Sequence, residues 1–254
     1  FFDYTLQLAD NSLIMGHRLS EWAGHGPMLE QDIALSNIAL DMIGQSRNFY
    51  QYAAEIKNQF NTNGEQATED TLAYLRDSAE FKNCVLAEIP NGDWGQTILK
   101  LYFFSTFQFL LYQELKNSTN TSLAAIAEKS LKETSYHLRW SAEWTVRLGD
   151  GTDESRQRML NSLDTVNPYL NELFYTSSPE ALCAENKIGV DPVTFKEAWL
   201  SKVQSVFEEA TLPMDISFDS PIERVGKNGD HTSHLQHILD DMQMLQRSFP
   251  GCEW

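Results

Sequence analysis

Cysteine is scarce in this chain, and its three copies, Cys84, Cys183 and Cys252, are widely spaced and odd in number. No Cys-x-x-Cys pair exists, so neither a zinc knuckle nor a disulfide framework is indicated, and a reducing cytoplasm is the simplest expectation. No run of about 18 apolar residues occurs, so no membrane span is expected. Basic residues are few, 19 against 36 acidic ones, for a formal net charge of −17. Nucleic acid and anionic membranes both demand a basic face, which argues against either as the main partner. Eight prolines and thirteen glycines in 254 residues, with no low-complexity segment, argue against disordered and fibrous classes. Alternating apolar patterns of useful length are missing too, so a sheet is not expected. Nucleophile signatures, phosphate loops and dinucleotide fingerprints are absent. The sequence opens on Phe1 rather than a methionine, so a few leading residues are expected to be missing, and nothing else calls for a removed signal.

What is present is helix. At 42% hydrophobic the chain can bury a large core. Helical spacing predicts segments over about Tyr4 to Ala23, Leu29 to Ile56, Glu69 to Asp77, Trp94 to Lys116 and Ser122 to Leu148. In the second of these the stripe Ile33, Leu40 and Ile43, with Ala34, Ile38 and Met42, is expected to bury one whole side. Asp93 is a candidate N-cap after the turn Pro90-Asn91-Gly92, and the four-phenylalanine run from Leu101 to Tyr112 reads as core. A further helix from Thr152 or Asp153 to about Tyr175 should kink at Pro168, with a loop at Pro179 after it. Asp191-Pro192 signals the next start, running to about Ala210. Asn58 to Thr68 and Thr211 to Asp230 read as loop, and His231 to Phe249 as a last helix stopped by Pro250-Gly251. The expected fold is all-α, one domain over residues 1–254. A four-helix bundle occupies about 4–148, with extra C-terminal helices over about 152–249.

The helix from Ser122 to Leu148 holds the most informative stretch. Ser130, Thr134, His137, Ser141 and Trp144 share one stripe, beside Leu131, Leu138 and Leu148, so His137 points into packing. A glutamate three residues before it would complete Glu-x-x-His, the pair that holds iron in carboxylate-bridged four-helix bundles; the residue there is Thr134. Glu133 lies four back and faces away. A di-iron bundle needs one acid from each of two helices and a Glu-x-x-His from each of the other two. Glu21 can serve on the first helix, or simply pair with Arg18. On the second helix the matching positions hold Met42 and Gln45, and on the third the inward candidates are Ser105 and Gln108. Of the six ligand positions Glu21, Met42, Gln45, Ser105, Thr134 and His137, only the first and last keep a ligand-type residue. One carboxylate and one imidazole do not hold two hard, charged irons. A hydrogen-bonded core histidine is the preferred reading of His137. His231, His234 and His237 are spaced by three; a polar, solvated helix start is preferred there over a metal cluster.

Several runs together carry a family resemblance. They include Leu19-Ser20-Glu21-Trp22, Asp32-Ile33-Ala34-Leu35-Ser36-Asn37-Ile38-Ala39-Leu40-Asp41 and Gly44-Gln45-Ser46-Arg47-Asn48-Phe49. Lys132-Glu133-Thr134-Ser135-Tyr136-His137-Leu138-Arg139 and Met244-Leu245-Gln246-Arg247 belong with them, as do Glu88-Ile89-Pro90-Asn91-Gly92 and Leu148-Gly149-Asp150-Gly151-Thr152-Asp153. Over essentially its whole length the chain resembles the PaaC-type subunits of bacterial phenylacetyl-CoA epoxidase. The resemblance implies a ferritin-like fold and a place in a multicomponent monooxygenase of phenylacetate breakdown. In such a system a homologous catalytic subunit holds the di-iron centre and binds the acyl-CoA. A small third subunit and a flavin/iron–sulfur reductase complete it. This chain is then expected to be a structural partner, with no catalytic residue and no cofactor of its own. Two rivals are an active di-iron oxygenase or ferroxidase, which lacks its ligands, and a stand-alone acyl-CoA carrier, which lacks a basic patch for the CoA phosphates.

Overall fold

The computed structural model describes every residue except 62, 63, 65, 219, 220, 251, 253 and 254. In chain order its α-helices are α1 (Phe2–Ser20), α2 (Leu29–Phe60), α3 (Glu69–Tyr74), α4 (Val85–Glu88), α5 (Trp94–Leu115) and α6 (Thr121–Gly149). They continue as α7 (Asp153–Val166), α8 (Leu170–Leu173), α9 (Ser178–Glu185), α10 (Lys196–Glu209) and α11 (Ser233–Ser248). No strand occurs among the described residues. The fold is all-α, consistent with the ferritin-like class. No helix among the described residues is long and apolar enough to cross a membrane.

The chain divides into two compact units. One joins Phe1–Pro90 to Arg224–Trp254, and the other is Asn91–Glu223. In the first unit α1 and α2 run antiparallel, as their pairings show: Gly16 lies against Ala39 and Met42, and Tyr50 bonds Asp10. Gly16 eases the close approach there, because a Cβ would stand 3.2 Å from the Ala39 carbonyl oxygen, a tight contact. From Tyr4 to Leu19 every residue of α1 is buried except His17, including Gln7, Asp10, Asn11 and Arg18. A polar helix is buried this completely only when its polar groups find partners. Asn11 Oδ1 accepts the Cys84 amide at 2.8 Å, and Arg18 Nε donates to the Glu88 carbonyl at 2.9 Å.

The second unit is built on α5, whose middle is buried all round. Asp93 caps it by accepting the Gln96 amide at 2.9 Å. Phe103 packs against Trp199 and Phe207 of α10 at ring separations of 5.5 and 5.8 Å. Trp199 Nε1 donates to the Phe103 carbonyl oxygen, which satisfies the buried indole. Trp94 at the start of α5 meets Trp140 and Trp144 edge-on near the end of α6, so these two helices are antiparallel.

Several elements depart from the pattern expected of the sequence. Ile33 and Leu40 are 52% and 65% exposed, and the buried side of α2 is Leu35, Ile38, Ala39 and Met42. α2 is apolar on two sides, and periodicity alone cannot say which side the chain covers. At Pro168 the expected kink is a break: α7 ends at Val166 and a 3₁₀ turn over Asn167–Tyr169 leads to α8. Where a loop was expected at Pro179 the chain forms α9. Ser177 and Glu180 make a capping box, and proline is tolerated in the first turn, where no intrahelical amide is needed. Asp191 caps a 3₁₀ turn over Pro192–Phe195, and α10 proper begins at Lys196. Trp144 is half-buried rather than part of the buried stripe. α11 starts two residues later than expected, capped by Thr232. Of the expected stop after it, Gly251 lies outside the described residues, as do residues 62, 63 and 65 of the expected polar loop and 219 and 220 of the second.

Candidate functional site

The six positions expected from the sequence to match the ligands of a di-iron bundle divide between the units, Glu21, Met42 and Gln45 in one and Ser105, Thr134 and His137 in the other. In the first unit Glu21 is not an inward mid-helix residue. It is the C-cap of α1, its side chain is 46% exposed, and it pairs with Arg18 Nη1 at 2.5 Å. Met42 and Gln45 are buried on α2. Met42 faces α1 at Gly16, where a Cβ in place of the glycine hydrogen would stand 3.3 Å from the Met42 Cβ. His17, one turn before Glu21, has its pKa lowered by burial, with the Glu21 carboxylate opposing the shift.

In the second unit Ser105 on α5 and Thr134 and His137 on α6 are fully buried. The buried line of α6 is small and polar, Ser130, Thr134, His137, Ser141 and Thr145. Two of its hydroxyls are satisfied by the helix itself, Ser141 bonding the His137 carbonyl at 2.7 Å and Thr145 the Ser141 carbonyl at 2.9 Å. The hydroxyls of Ser105, Ser130 and Thr134 are buried and find no hydrogen-bond partner. Such groups are costly, and two of them, Ser105 and Thr134, stand at positions expected from the sequence to match ligand carboxylates of a metal-bearing bundle. Gln108 Nε2 donates to the Tyr112 hydroxyl at 3.3 Å.

This donor set does not fit two metal ions. A thioether, an amide, two hydroxyls, a solvent-facing carboxylate already paired with arginine and one imidazole supply too little negative charge. Among the described residues no group of three or more His, Cys, Asp or Glu side chains is placed to hold a metal. The histidines of the last segment behave otherwise than expected. His231 is not a solvated helix-start residue: its side chain is 4% exposed, with Nδ1 2.7 Å from Glu88 Oε2 and Nε2 2.9 Å from the Phe81 carbonyl oxygen. Glu88, wholly buried, also accepts from Asn83 Nδ2 at 2.9 Å and from the Thr232 amide and hydroxyl at 2.6 and 2.8 Å. His234 and His237 stand apart from it, with their rings 6.5 Å from each other.

A second buried polar cluster was not visible in the sequence. Asp10 on α1 accepts from the Tyr50 hydroxyl, from both terminal nitrogens of Arg76 and from the Lys82 amide. Arg76 also donates to the Leu72 and Glu80 carbonyls and lies 4.1 Å over the Phe81 ring. Burial works against its charge, and the Asp10 carboxylate more than restores it; burial first, then Asp10, pushes Tyr50 well above the ordinary phenol range. The cluster is a fully bonded structural staple. The one signal in the sequence was an acid, Asp10, in the middle of an otherwise core-facing helix.

The family described as "Phenylacetic acid catabolic protein" matches residues 1–254. The chain is also similar to a protein of Escherichia coli (strain K12) named as one of the subunits of 1,2-phenylacetyl-CoA epoxidase. The two are 43% identical over 251 residues, which cover 99% of this chain and 98% of the relative.

Proposed function

Because the chain belongs to the phenylacetic acid catabolic protein family, we propose that it is the metal-free, structural subunit of a multicomponent phenylacetyl-CoA epoxidase. In this reading it pairs with and stabilises a homologous catalytic subunit that holds the di-iron centre and the acyl-CoA. A small third subunit and a flavin/iron–sulfur reductase complete the system. Whole-length similarity to a protein named as an epoxidase subunit supports membership of such an assembly. What supports the structural role is the donor set: Met42, Gln45, Ser105 and Thr134 stand at the positions read from the sequence as those of carboxylate and histidine ligands, and Glu21 is engaged by Arg18 at a half-exposed helix end.

The residues therefore act by packing rather than by chemistry. Small hydroxyls let α5 and α6 approach where bulky ligands would otherwise separate them, and the stripe Ser130 to Thr145 keeps that surface narrow. The test is iron content. The purified chain is reconstituted anaerobically with ferrous salt, desalted and analysed for metal. Iron well below one per chain, together with co-purification of the di-iron subunit, is expected. Two tightly held irons per chain would overturn the reading and make the chain an oxygenase to be assayed in its own right.

A further inference from the structure

α2 carries an apolar face that its own chain leaves open. Leu29, Ile33, Asn37, Leu40, Gly44 and Arg47 follow spacings of three and four, so they share one line along the helix. Leu29 is 70% exposed, Ile33 52% and Leu40 65%. No charged residue interrupts the line between Ile33 and Gly44. Gly44 is open as well: nothing lies within 4 Å of the position a Cβ would take. Isolated exposed leucines are ordinary; Leu29, Ile33 and Leu40 instead line up on one side of one helix. The other side of the same helix, Leu35, Ile38, Ala39, Met42 and Phe49, already serves the core.

The line runs into a pocket. Between α2 and α3 lies a cavity of about 150 Å³, walled by Leu13, Ile43, Ala73 and Tyr74, with Arg47, Glu69 and Asp70 as its charged members. Ser46 belongs to its wall, is 1% exposed, and its hydroxyl finds no hydrogen-bond partner. At ~30 Å³ per water the space holds about five waters, or one inserted side chain whose polar tip can satisfy that hydroxyl. A half-open pocket of mixed lining beside an apolar ridge can seat an anchoring residue.

Charge selects the occupant. The line is flanked on α2 by Glu30 and Asp41 and ends beside Asp70 and the Arg47–Glu69 ion pair, in a chain of net charge −17. A second copy would bring the same acidic surface against it, whereas a partner with basic flanks is attracted. The strip from Leu29 to Arg47 is ~27 Å long and ~10 Å wide. On the order of 270 Å², it forms the apolar centre of an interface rather than the whole of one, which needs ~800 Å² per side.

We propose that the outer line of α2 from Leu29 to Gly44, with the α2–α3 pocket at its end, is the docking face for the homologous catalytic subunit. That subunit presents an apolar helix ridge with basic flanks and one side chain whose polar tip reaches Ser46. The proposal rests on the reading of the chain as a subunit and adds the face by which it docks.

The test titrates the purified di-iron subunit into the full chain by calorimetry. It compares wild type with Leu40→Asp, Ile33→Asp, Ser46→Ala and, as a control on α9, Leu182→Asp, whose side chain is also exposed. All three aspartate substitutions are at exposed positions, so circular dichroism should show unchanged folding. Binding about 100-fold weaker for Leu40→Asp and Ile33→Asp, several-fold weaker for Ser46→Ala, and unchanged for Leu182→Asp is the expected result. Wild-type affinity in Leu40→Asp and Ile33→Asp overturns the face while leaving the pairing intact. No binding by the wild type overturns the subunit reading and this proposal with it. A wild-type homodimer in light scattering that Leu40→Asp dissolves assigns the face to a second copy and overturns the choice of occupant.

Discussion

At the scale of single residues, the groups that matter most are polar side chains placed in the core. Arg76 and Asp10 form a buried ion pair whose remaining bonds go to Tyr50, Leu72, Glu80 and Lys82. Removing one member leaves the other charge buried without compensation, which costs about 3–5 kcal/mol. Arg76→Met should therefore lower the unfolding free energy by that amount, read as a lower urea midpoint at unchanged slope, whereas the surface pair Arg158–Glu154 should contribute next to nothing when Arg158 is removed. His17 gives a pH dependence. Burial lowers its folded pKa below the ordinary 6.5, with Glu21 only partly opposing the shift. The unfolded chain then takes up the proton first as pH falls, so acid favours unfolding and stability rises with pH through that region. The melting temperature should fall from about pH 7.5 to 5.5, and His17→Gln should flatten that part of the slope. A His17→Gln curve parallel to wild type would refute the assignment. None of the long-range partnerships was legible in the sequence, since Asp10 meets Arg76 from 66 residues away and His231 meets Glu88 from 143. The stripe Ser130, Thr134, His137 and Ser141 was legible because its spacing lies within one helix.

At the scale of elements, the long helices and their caps were readable where a local signal set them. Asp93 and Thr152 cap α5 and α7 as their positions suggested. α9 was missed because Pro179 was read as a breaker, although proline in the first turn behind a capping serine is a start signal. Ser177 Oγ accepts the Glu180 amide, and Glu180 Oε2 accepts the Ser177 amide at 2.7 Å in return. Ser177→Ala should cost about 1 kcal/mol, and Ser177→Asp should recover most of it, read from denaturant midpoints. A loss below a few tenths would mean α9 is held by packing alone. α2 shows the opposite limit. Its apolar residues were correctly counted, but a helix with two apolar sides gives no local clue to which side its own chain covers. Ile33 and Leu40 were assigned to the wrong one.

At the scale of the whole molecule, the all-α class follows from composition and period, because nothing in the chain alternates with period two. The single domain expected from the sequence over residues 1–254 predicts one calorimetric transition whose van't Hoff and calorimetric enthalpies agree. Two resolved transitions would instead make Asn91–Glu223 an independent folding unit. The excess of acid predicts little salt-dependent attraction to DNA or anionic vesicles, and retention on either at physiological salt would contradict the charge argument. The unit that contains α1 and α2 is completed by Arg224–Trp254, which is synthesised only after the whole of Asn91–Glu223. Glu88 waits for His231 and Thr232, and Arg76 waits for Gln243 and Arg247, which bond its carbonyl oxygen. At translation rates of about 5–20 residues per second the intervening stretch takes roughly 7 to 30 seconds to emerge. Throughout that interval the nascent chain holds an unfinished half, a client for chaperones, and its maturation is timed by the synthesis of the unit inserted between its two segments.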